Sequence, residues 1–251
     1  MPHAELSKLL AQSRRPAVLT GAGMSAESGI ATFRDALTGL WQRFNAEELA
    51  SPEAFRRDPE LVWGWYEWRR MGVLRAQPNP GHLALERLGK RFPNLPIITQ
   101  NVDDLHERAG STQVLHLHGS LHRPRCASCG TGYSLAVGIP SEPEGGRRLA
   151  PPRCDRCGGL VRPGVVWFGE ALPEPAWRQA EQAVRDCDLL LVVGTSGIVW
   201  PAAGLPMRAK QGGARLVQVN PHASALDPVA DLNFRHPASA LEWLLGSSGL
   251  A

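Results

Sequence analysis

No apolar run in these 251 residues approaches the length that spans a bilayer, so no transmembrane helix is expected. Charge of one sign is also lacking. The 27 basic residues exceed the 24 acidic ones by only three, too dispersed a surplus to make nucleic acid the main partner, although the arginines suit anionic small ligands. Internal repeats and long low-complexity tracts are absent, which argues against a solenoid or a disordered chain. The opening Met1-Pro-His-Ala-Glu-Leu-Ser-Lys8 has no basic region followed by an apolar stretch, so a cytoplasmic location is the expectation. Cysteine is scarce, but four of the five fall in two Cys-x-x-Cys pairs, which in an intracellular chain favours metal over disulfide. What remains, 43% hydrophobic and 20% charged, suits a soluble globular protein with one sizeable core and a small satellite module.

β-rich apolar runs recur at 17–20, 95–99, 114–117, 189–193 and 216–219, separated by segments of helical period. That alternation predicts an α/β fold, a parallel sheet with helices on both faces. Segments 45–55 and 59–75 have helical apolar spacing, with Pro52 and Pro59 punctuating the starts, and 82–91 and 241–245 fit further helices. Residues 246–249 should fray. From Leu121 to about Pro163 the composition shifts to Cys, Gly, Pro, Arg and Ser, and within it 141–148 reads as a mobile loop. The expected organisation is a large domain from 1–37, 78–120 and 164–251, with a helical insertion (38–77) and a metal-binding module (121–163) forming the small one.

Strand 17–20 runs directly into Gly21-x-Gly23-x-x-Ala26, the pattern of a dinucleotide-binding turn entering a helix. Gly21 permits the tight turn, Gly23 lets backbone approach a pyrophosphate, and Ala26 allows close helix packing. Ser25, Ser28 and Phe33-Arg34-Asp35 add hydroxyls, a ring and a cation. Cys126, Cys129, Cys154 and Cys157 can supply four thiolates to a tetrahedral Zn²⁺, and a shell closed by four cysteines implies a structural metal. Cys187 reads as a small core residue.

Thr99-Gln100-Asn101-Val102-Asp103 and His116-Leu117-His118-Gly119-Ser120 each follow an apolar strand, where ligand-binding groups gather in open α/β sheets. Together with the opening turn they place an amide, a carboxylate and an imidazole at one sheet edge. With Val165-Val-Trp-Phe-Gly-Glu170, Gly194-Thr195-Ser196 and Val219-Asn220, nearly the whole chain resembles the sirtuins, NAD-dependent protein lysine deacylases.

The resemblance implies a Rossmann-like domain with NAD⁺ consumed as a reactant. Nicotinamide leaves, the acyl-lysine oxygen attacks the ribose, and the acyl group ends on ADP-ribose. His118 is then the general base, an imidazole suited to proton transfer near neutrality, with His116 in support. Asn101 and Asp103 hold the ribose, a water and the carboxamide of nicotinamide, while Asp104 is expected to cap helix 105–109. The cofactor set implied is Gly21, Ala22, Gly23, Ser25, Phe33, Arg34, Gln100, Asn101, Asp103, Gly194, Thr195, Ser196 and Asn220, with Ala238 near the adenine. Val166, Trp167, Phe168, Gly169 and Glu170 are expected to be extended, their backbone amides pairing with an acyl-lysine peptide as an added strand.

Tyr66 and Arg69 lie three apart on one predicted helix face. In the sirtuin branch that removes acidic acyl groups, a Tyr-x-x-Arg pair binds the distal carboxylate of succinyl- or malonyl-lysine, and a small alanine leaves room; here that alanine is Ala50. The expected activity is therefore deacetylation together with desuccinylation or demalonylation, most simply by a monomer. Ala31 stands where the family usually has proline, and 235–240 only loosely resembles the usual stretch near the adenine. The rival readings are a protein ADP-ribosyltransferase, or a noncatalytic NAD sensor or zinc-ribbon binder. Retention of His118, Asn101 and Asp103 argues against the sensor, and a zinc module without a basic, aromatic-studded face argues against a nucleic-acid binder.

Overall fold

A computed structural model describes residues 2–32, 42, 44–136 and 138–246. Phe33, Arg34 and positions 247–249 of the expected fraying tail lie outside the described residues. In chain order the elements are α1 (Pro2–Gln12), β1 (Pro16–Thr20), α2 (Ala46–Leu49), α3 (Pro52–Arg57), α4 (Pro59–Arg75), α5 (Pro80–Arg91) and β2 (Ile97–Thr99). There follow α6 (Leu105–Arg108), β3 (Val114–His116), β4 (Arg125–Cys126), β5 (Val161–Arg162), α7 (Glu174–Asp186) and β6 (Leu189–Val193). The chain ends with α8 (Leu205–Gln211), β7 (Arg215–Val219), β8 (Leu232–Phe234) and α9 (Leu241–Gly246).

Six strands pair in the order β3-β2-β1-β6-β7-β8, every described pair parallel. Chain order reverses direction between β1 and β6, the switch point beside which ligands bind in such sheets. Both faces are covered, which is why the central strands read as unbroken apolar runs rather than alternating ones. Val18, Ile97, Leu191, Val193, Val217 and Val219 pack under α1, α5 and α9. Ala17, Leu19, Ile98, Leu190, Val192 and Leu216 pack under α7 and α8. The edge strand β8, only three residues long with an exposed centre, carries too short a signal to stand out in the sequence.

Local chemistry sets the element starts. Asn79 accepts bonds from the amides of Gly81 and His82, and Pro80 sits where a helix needs no donor, so α5 begins two residues before its expected start. The predicted helix over 45–55 is instead two short ones. Pro52 cannot continue a helix, and Ser51 turns outward and caps α3 through the Ala54 amide (3.1 Å). The expected helix after the Gly21 turn is replaced by two 3₁₀ turns, Ala22–Met24 and Ala26–Ser28, the second ended by Gly29 at φ +82°. Ala26, expected to allow close helix packing, is exposed.

The stretch 141–148, expected to be mobile, is strapped across α4. Leu149 N donates to Glu60 O (3.1 Å), Trp68 Nε1 donates to Glu144 O (2.9 Å), and Arg148 grips Asp58 through both oxygens (2.6 and 2.8 Å). Within the strap, Arg147 pairs with the buried carboxylate of Glu142 (2.9 and 3.0 Å). Gly64 makes this approach possible, because a Cβ there would land on the Arg147 carbonyl oxygen.

Candidate active site and cysteine centre

Register places the chemistry in one row. Phe234, Val219, Val193, Thr20, Thr99 and His116 are successive partners across the sheet, and candidate polar residues follow this row on five of the six strands. Thr20 leads to Gly21, Thr99 to Gln100, His116 to His118, Val193 to Gly194 and Val219 to Asn220.

Ser25, Asn101 and Asp103 form a buried triplet. Asn101 Nδ2 donates to Ser25 Oγ (3.0 Å), and that hydroxyl donates to Asp103 Oδ2 (2.9 Å). Ser25, expected beside the phosphates, thus bridges the two groups expected at the ribose. Asp103 Oδ1 accepts from the Leu105 amide (3.1 Å), so Asp103 caps α6. Asp104 makes no capping bond and instead lies 3.4 Å from the His122 ring, a correction to its expected role. Burial pushes the Asp103 carboxyl above its usual range, opposed by the Leu105 and Ser25 bonds.

The two histidines separate cleanly. His118 Nδ1 lies 3.0 Å from the Gln100 carbonyl, so Nδ1 carries and donates the proton, leaving Nε2 a bare acceptor. Burial lowers its pKa, against the smaller opposite pull of that carbonyl, and keeps the ring neutral. His116 faces acceptors at both nitrogens, Asn101 O at 3.1 Å and Glu107 Oε1 at 2.7 Å. Burial works against its charge, but the Glu107 carboxylate and the Asn101 carbonyl raise its pKa and favour the protonated ring, which has no lone pair left to accept a proton. Glu107 went unnoticed in the sequence because only the turn of α6 brings it to His116.

On the nucleotide side the glycines first serve each other. Gly23 N donates to Gly194 O (2.8 Å), and a Cβ on Gly23 would sit 2.8 Å from Gly194 Cα. Gly21 fits as closely against Thr195, and Gly194 turns at φ +62°. The close approach that Gly23 allows here is to the neighbouring strand-end turn. Thr195 is the hub: its hydroxyl accepts from Gln100 Nε2 (3.0 Å) and its carbonyl from Asn220 Nδ2 (2.8 Å). Ala22 opens the first 3₁₀ turn, and the Ser196 carbonyl accepts the Ala225 amide (3.1 Å). Ala238 is buried, its carbonyl against Gly81 at the start of α5. Asn79, not singled out in the sequence, ties the first turn to α5 through Met24 O (2.8 Å) and Ser28 Oγ (3.1 Å). An Asn-Pro pair at a helix start was its only trace.

Ala50, Tyr66 and Trp167 share one apolar cluster with Leu49, Phe55 and Val165. Trp167 Nε1 donates to Tyr66 Oη (3.0 Å), and the Arg69 guanidinium sits 5.0 Å from the centre of the Trp65 ring. Burial holds the Arg69 pKa below its usual value, while Tyr66 and the Asp103 carboxylate favour its charge. Tyr66 is pushed up to about 12 by burial, against the pull of Arg69, and stays a neutral hydroxyl.

Segment 165–170 is only partly extended. Gly119 and Val165 form an antiparallel bridge, but Gly169 (φ +87°) turns the chain and Glu170 N closes on Trp167 O (3.0 Å). Val166 N donates to His118 O (2.8 Å) and Phe168 N to Ala50 O (3.0 Å). Trp167 N donates to the Glu170 carboxylate (2.9 Å), which Arg162 clamps through both oxygens (2.5 and 2.8 Å). The amides expected to pair with a peptide are thus engaged inside the protein, and Glu170 is a brace. The Phe168 side chain is exposed.

The four paired cysteines converge, their sulfurs all within 4.8 Å of one another. Cys126 and Cys157 are 3.5 Å apart and Cys129 and Cys154 3.7 Å. Thiolates at about 2.3 Å from a tetrahedral zinc lie about 3.8 Å from each other, so the donor set and spacing fit that ion. The two knuckles are built alike. In each, the amide of a left-handed glycine, Gly130 or Gly158, bonds back to the carbonyl of the first cysteine.

The Sir2 family model matches residues 21–201. An NAD-dependent protein deacylase of Methylococcus capsulatus is 60% identical over 96% of this chain and 94% of its own length. NAD-dependent protein deacylase 1 of Pseudomonas aeruginosa is 63% identical over 85% of this chain and 86% of its own. Among solved structures, a Sir2 homologue in complex with NAD superposes with a TM-score of 0.89 at 46% identity, covering 99% of this chain and 95% of that one. A Sir2 complex with a p53 peptide and NAD⁺ superposes with a TM-score of 0.86 at 31% identity over the whole of both chains. A parallel sheet with its polar groups at one switch-point edge, a four-cysteine centre and these likenesses agree: the chain belongs to the Sir2, or sirtuin, family.

Proposed function

We propose that this protein is an NAD⁺-dependent protein lysine deacylase that passes the acyl group of a modified lysine to ADP-ribose and releases nicotinamide. The carrying observation is His118, whose Nδ1–H is committed to Gln100 O while Nε2 has no hydrogen-bond partner among the described residues, just past the strand next to the one that leads to Asn101 and Asp103 of the buried Ser25–Asn101–Asp103 triplet. Bound NAD⁺ supplies an electrophilic ribose carbon once nicotinamide departs. The chain orients and deprotonates. Gly21, Ala22 and Gly23 would face the pyrophosphate with the Gly194–Ser196 turn, Asn220 and Ala238 would serve the adenosine half, and Phe33 and Arg34, outside the described residues, would serve the nicotinamide pocket and the phosphates or ribose, respectively. Asn101 and Asp103 hold the ribose and carboxamide, and His118 Nε2 takes a ribose hydroxyl proton. The four cysteines hold a structural Zn²⁺ that keeps residues 121–163 folded.

The substrate is a peptide bearing acetyl-, succinyl- or malonyl-lysine. With the amides of 166–168 and 170 engaged, the peptide pairs through the Gly169 amide and through the segment's carbonyls, and Phe168 covers the lysine stem. Tyr66 and Arg69 receive an acidic acyl group beside Ala50, where a buried guanidinium gains from an anion. Each charge-assisted bond contributes roughly 1.5–3 kcal/mol, about one to two decades of selectivity.

The test is nicotinamide release and acyl transfer with NAD⁺ and matched acetyl-, succinyl- and malonyl-lysine peptides. NAD⁺-dependent transfer is expected. No release with any peptide overturns the reading, and a peptide gaining ADP-ribose mass in place of losing its acyl group turns it to ADP-ribosyl transfer. Arg69→Met is expected to lower desuccinylation ten- to a hundredfold, by roughly one charge-assisted pair, while sparing deacetylation. Equal losses mean that Arg69 only holds the fold.

A further inference from the structure

Behind the catalytic groups, and used by no step above, lies the imidazole of His106, wholly buried on α6. Its Nε2 is 3.2 Å from Thr20 Oγ1. Thr20 Oγ1 lies 2.8 Å from Thr99 Oγ1, and with the Thr20 proton directed to Thr99 the ring donates at Nε2. Thr99 Oγ1 in turn accepts the backbone amide of Asn101 (3.0 Å). From there the path continues through Asn101 Nδ2 to Ser25, through Ser25 to Asp103, and from Asp103 Oδ1 to the Leu105 amide (3.0, 2.9 and 3.1 Å). Leu105 is the residue before His106. The bonds therefore close into a ring that enters and leaves through α6.

We propose that His106 is a positioning residue for the deacylation site, its Nε2–H locking the Thr20–Thr99 pair and thereby the backbone and side chains of Asn101 and Asp103. The proposal rests on the deacylase reading for its effect on rate, but not for the bond network itself. Two strand ends, β1 and β2, are paired at Thr20 and Thr99, and the sheet fixes their backbones but leaves their hydroxyl rotors free. A donor from outside the sheet directs the Thr20 proton toward Thr99. His106 supplies it, and burial keeps the ring in its neutral, single-donor form. On the far side the His82 ring packs edge-on against His106 at 4.9 Å, with its Nδ1 accepting from Asn79 N (3.3 Å). Asn79 holds the Met24 carbonyl (2.8 Å), so the histidine pair also reaches the turn that carries Ser25. His106 Nδ1 and His82 Nε2 have no hydrogen-bond partner among the described residues, but the bonds that do close the ring each constrain the next and so resist the rearrangement of any one member. Displacement of Asn101 or Asp103 by a fraction of an ångström is the quantity that such a ring controls, and reaction rate is steeply sensitive to it.

The experiment compares His106→Leu with His106→Gln, whose side-chain amide can present a donor where Nε2–H was, and with Thr20→Val, which cuts the next link. Two readouts are taken: deacylation kinetics on an acetyl-lysine peptide with NAD⁺, and hydrogen exchange of the amides of 99–105 in the unliganded protein. His106→Leu is expected to lower kcat on the order of ten- to a hundredfold with peptide KM unchanged, and to speed exchange at Asn101 and Leu105. His106→Gln is expected to restore most of both. Thr20→Val should reproduce the loss, and its combination with His106→Leu should add little, as links of one chain do. Equal losses in the Gln and Leu variants, additive losses in the double variant, or unchanged exchange at Asn101 would each overturn the proposal. If His106→Leu does not fold, Thr20→Val alone reads the same link. A wild-type protein without turnover would sink the deacylase reading, while the exchange response would still decide the role of His106.

Discussion

At the scale of single residues, the proposed role of His118 as base turns on its protonation. Only the neutral ring accepts a proton at Nε2, and burial lowers its pKa from the usual 6.5 more than the Gln100 carbonyl raises it. The neutral form persists above the pKa, so kcat/KM should be flat through neutrality and fall only below pH 6.5. A pH–rate profile of kcat/KM checks this; an acidic limb above neutrality would mean that a different group titrates. His118→Ala should abolish deacylation without changing metal content or melting temperature. His118 stands out in the sequence through its place after a strand and through the resemblance. The contrast with His116 does not, because two residues of the same type are told apart only by their acceptors. Glu107 and Asn101 O favour one as a singly charged imidazolium donating from both nitrogens, and Gln100 O leaves the other with Nε2 as an acceptor.

At the scale of elements, α4 carries Tyr66 and Arg69 on one side and bears the strap 141–149 on another. Two glycines on this one helix make opposite predictions. A methyl at Gly64 meets the Arg147 carbonyl, and overpacking of this kind costs about 1–3 kcal/mol, more than the roughly 1 kcal/mol that alanine gains in helix propensity. Gly72 is exposed, with nothing near its absent Cβ. Gly64→Ala should therefore destabilise, and Gly72→Ala should stabilise by up to about 1 kcal/mol, both read by denaturant unfolding. A stabilising Gly64→Ala would show that the strap is not seated on α4. Prolines and capping residues announced where α3, α4 and α5 begin. The strap read as a mobile loop because glycine and charge look alike whether solvated or docked, and its partners Asp58, Glu60 and Trp68 lie far away in sequence. The 3₁₀ turns after Gly21 escaped for a similar reason. The glycine spacing is shared with a helix start, but here contact with the Gly194 turn fixes the path.

At the scale of the whole molecule, the cysteine centre supports residues 121–163, which contain little apolar core of their own beyond Leu121, Leu160 and Val161. Elemental analysis should find one zinc per chain. Stripping it with a chelator should raise hydrogen exchange across 121–163 and, through the strap, along α4, while β1, β6 and β7 stay protected. Uniform exchange changes over the whole chain would instead make the metal a global determinant of stability. The sequence by itself determined five of the six sheet strands, the helix over 59–75 and the four cysteines of the candidate metal centre, because propensity, caps and Cys-x-x-Cys spacing are local properties. Tertiary structure alone decided the register that aligns Thr20 with Thr99 and His116, the acceptors that separate His118 from His116, the docking of the strap, and the ring through His106. Each of these is a contact between segments far apart in the chain, set by how the sheet and its covering helices pack together.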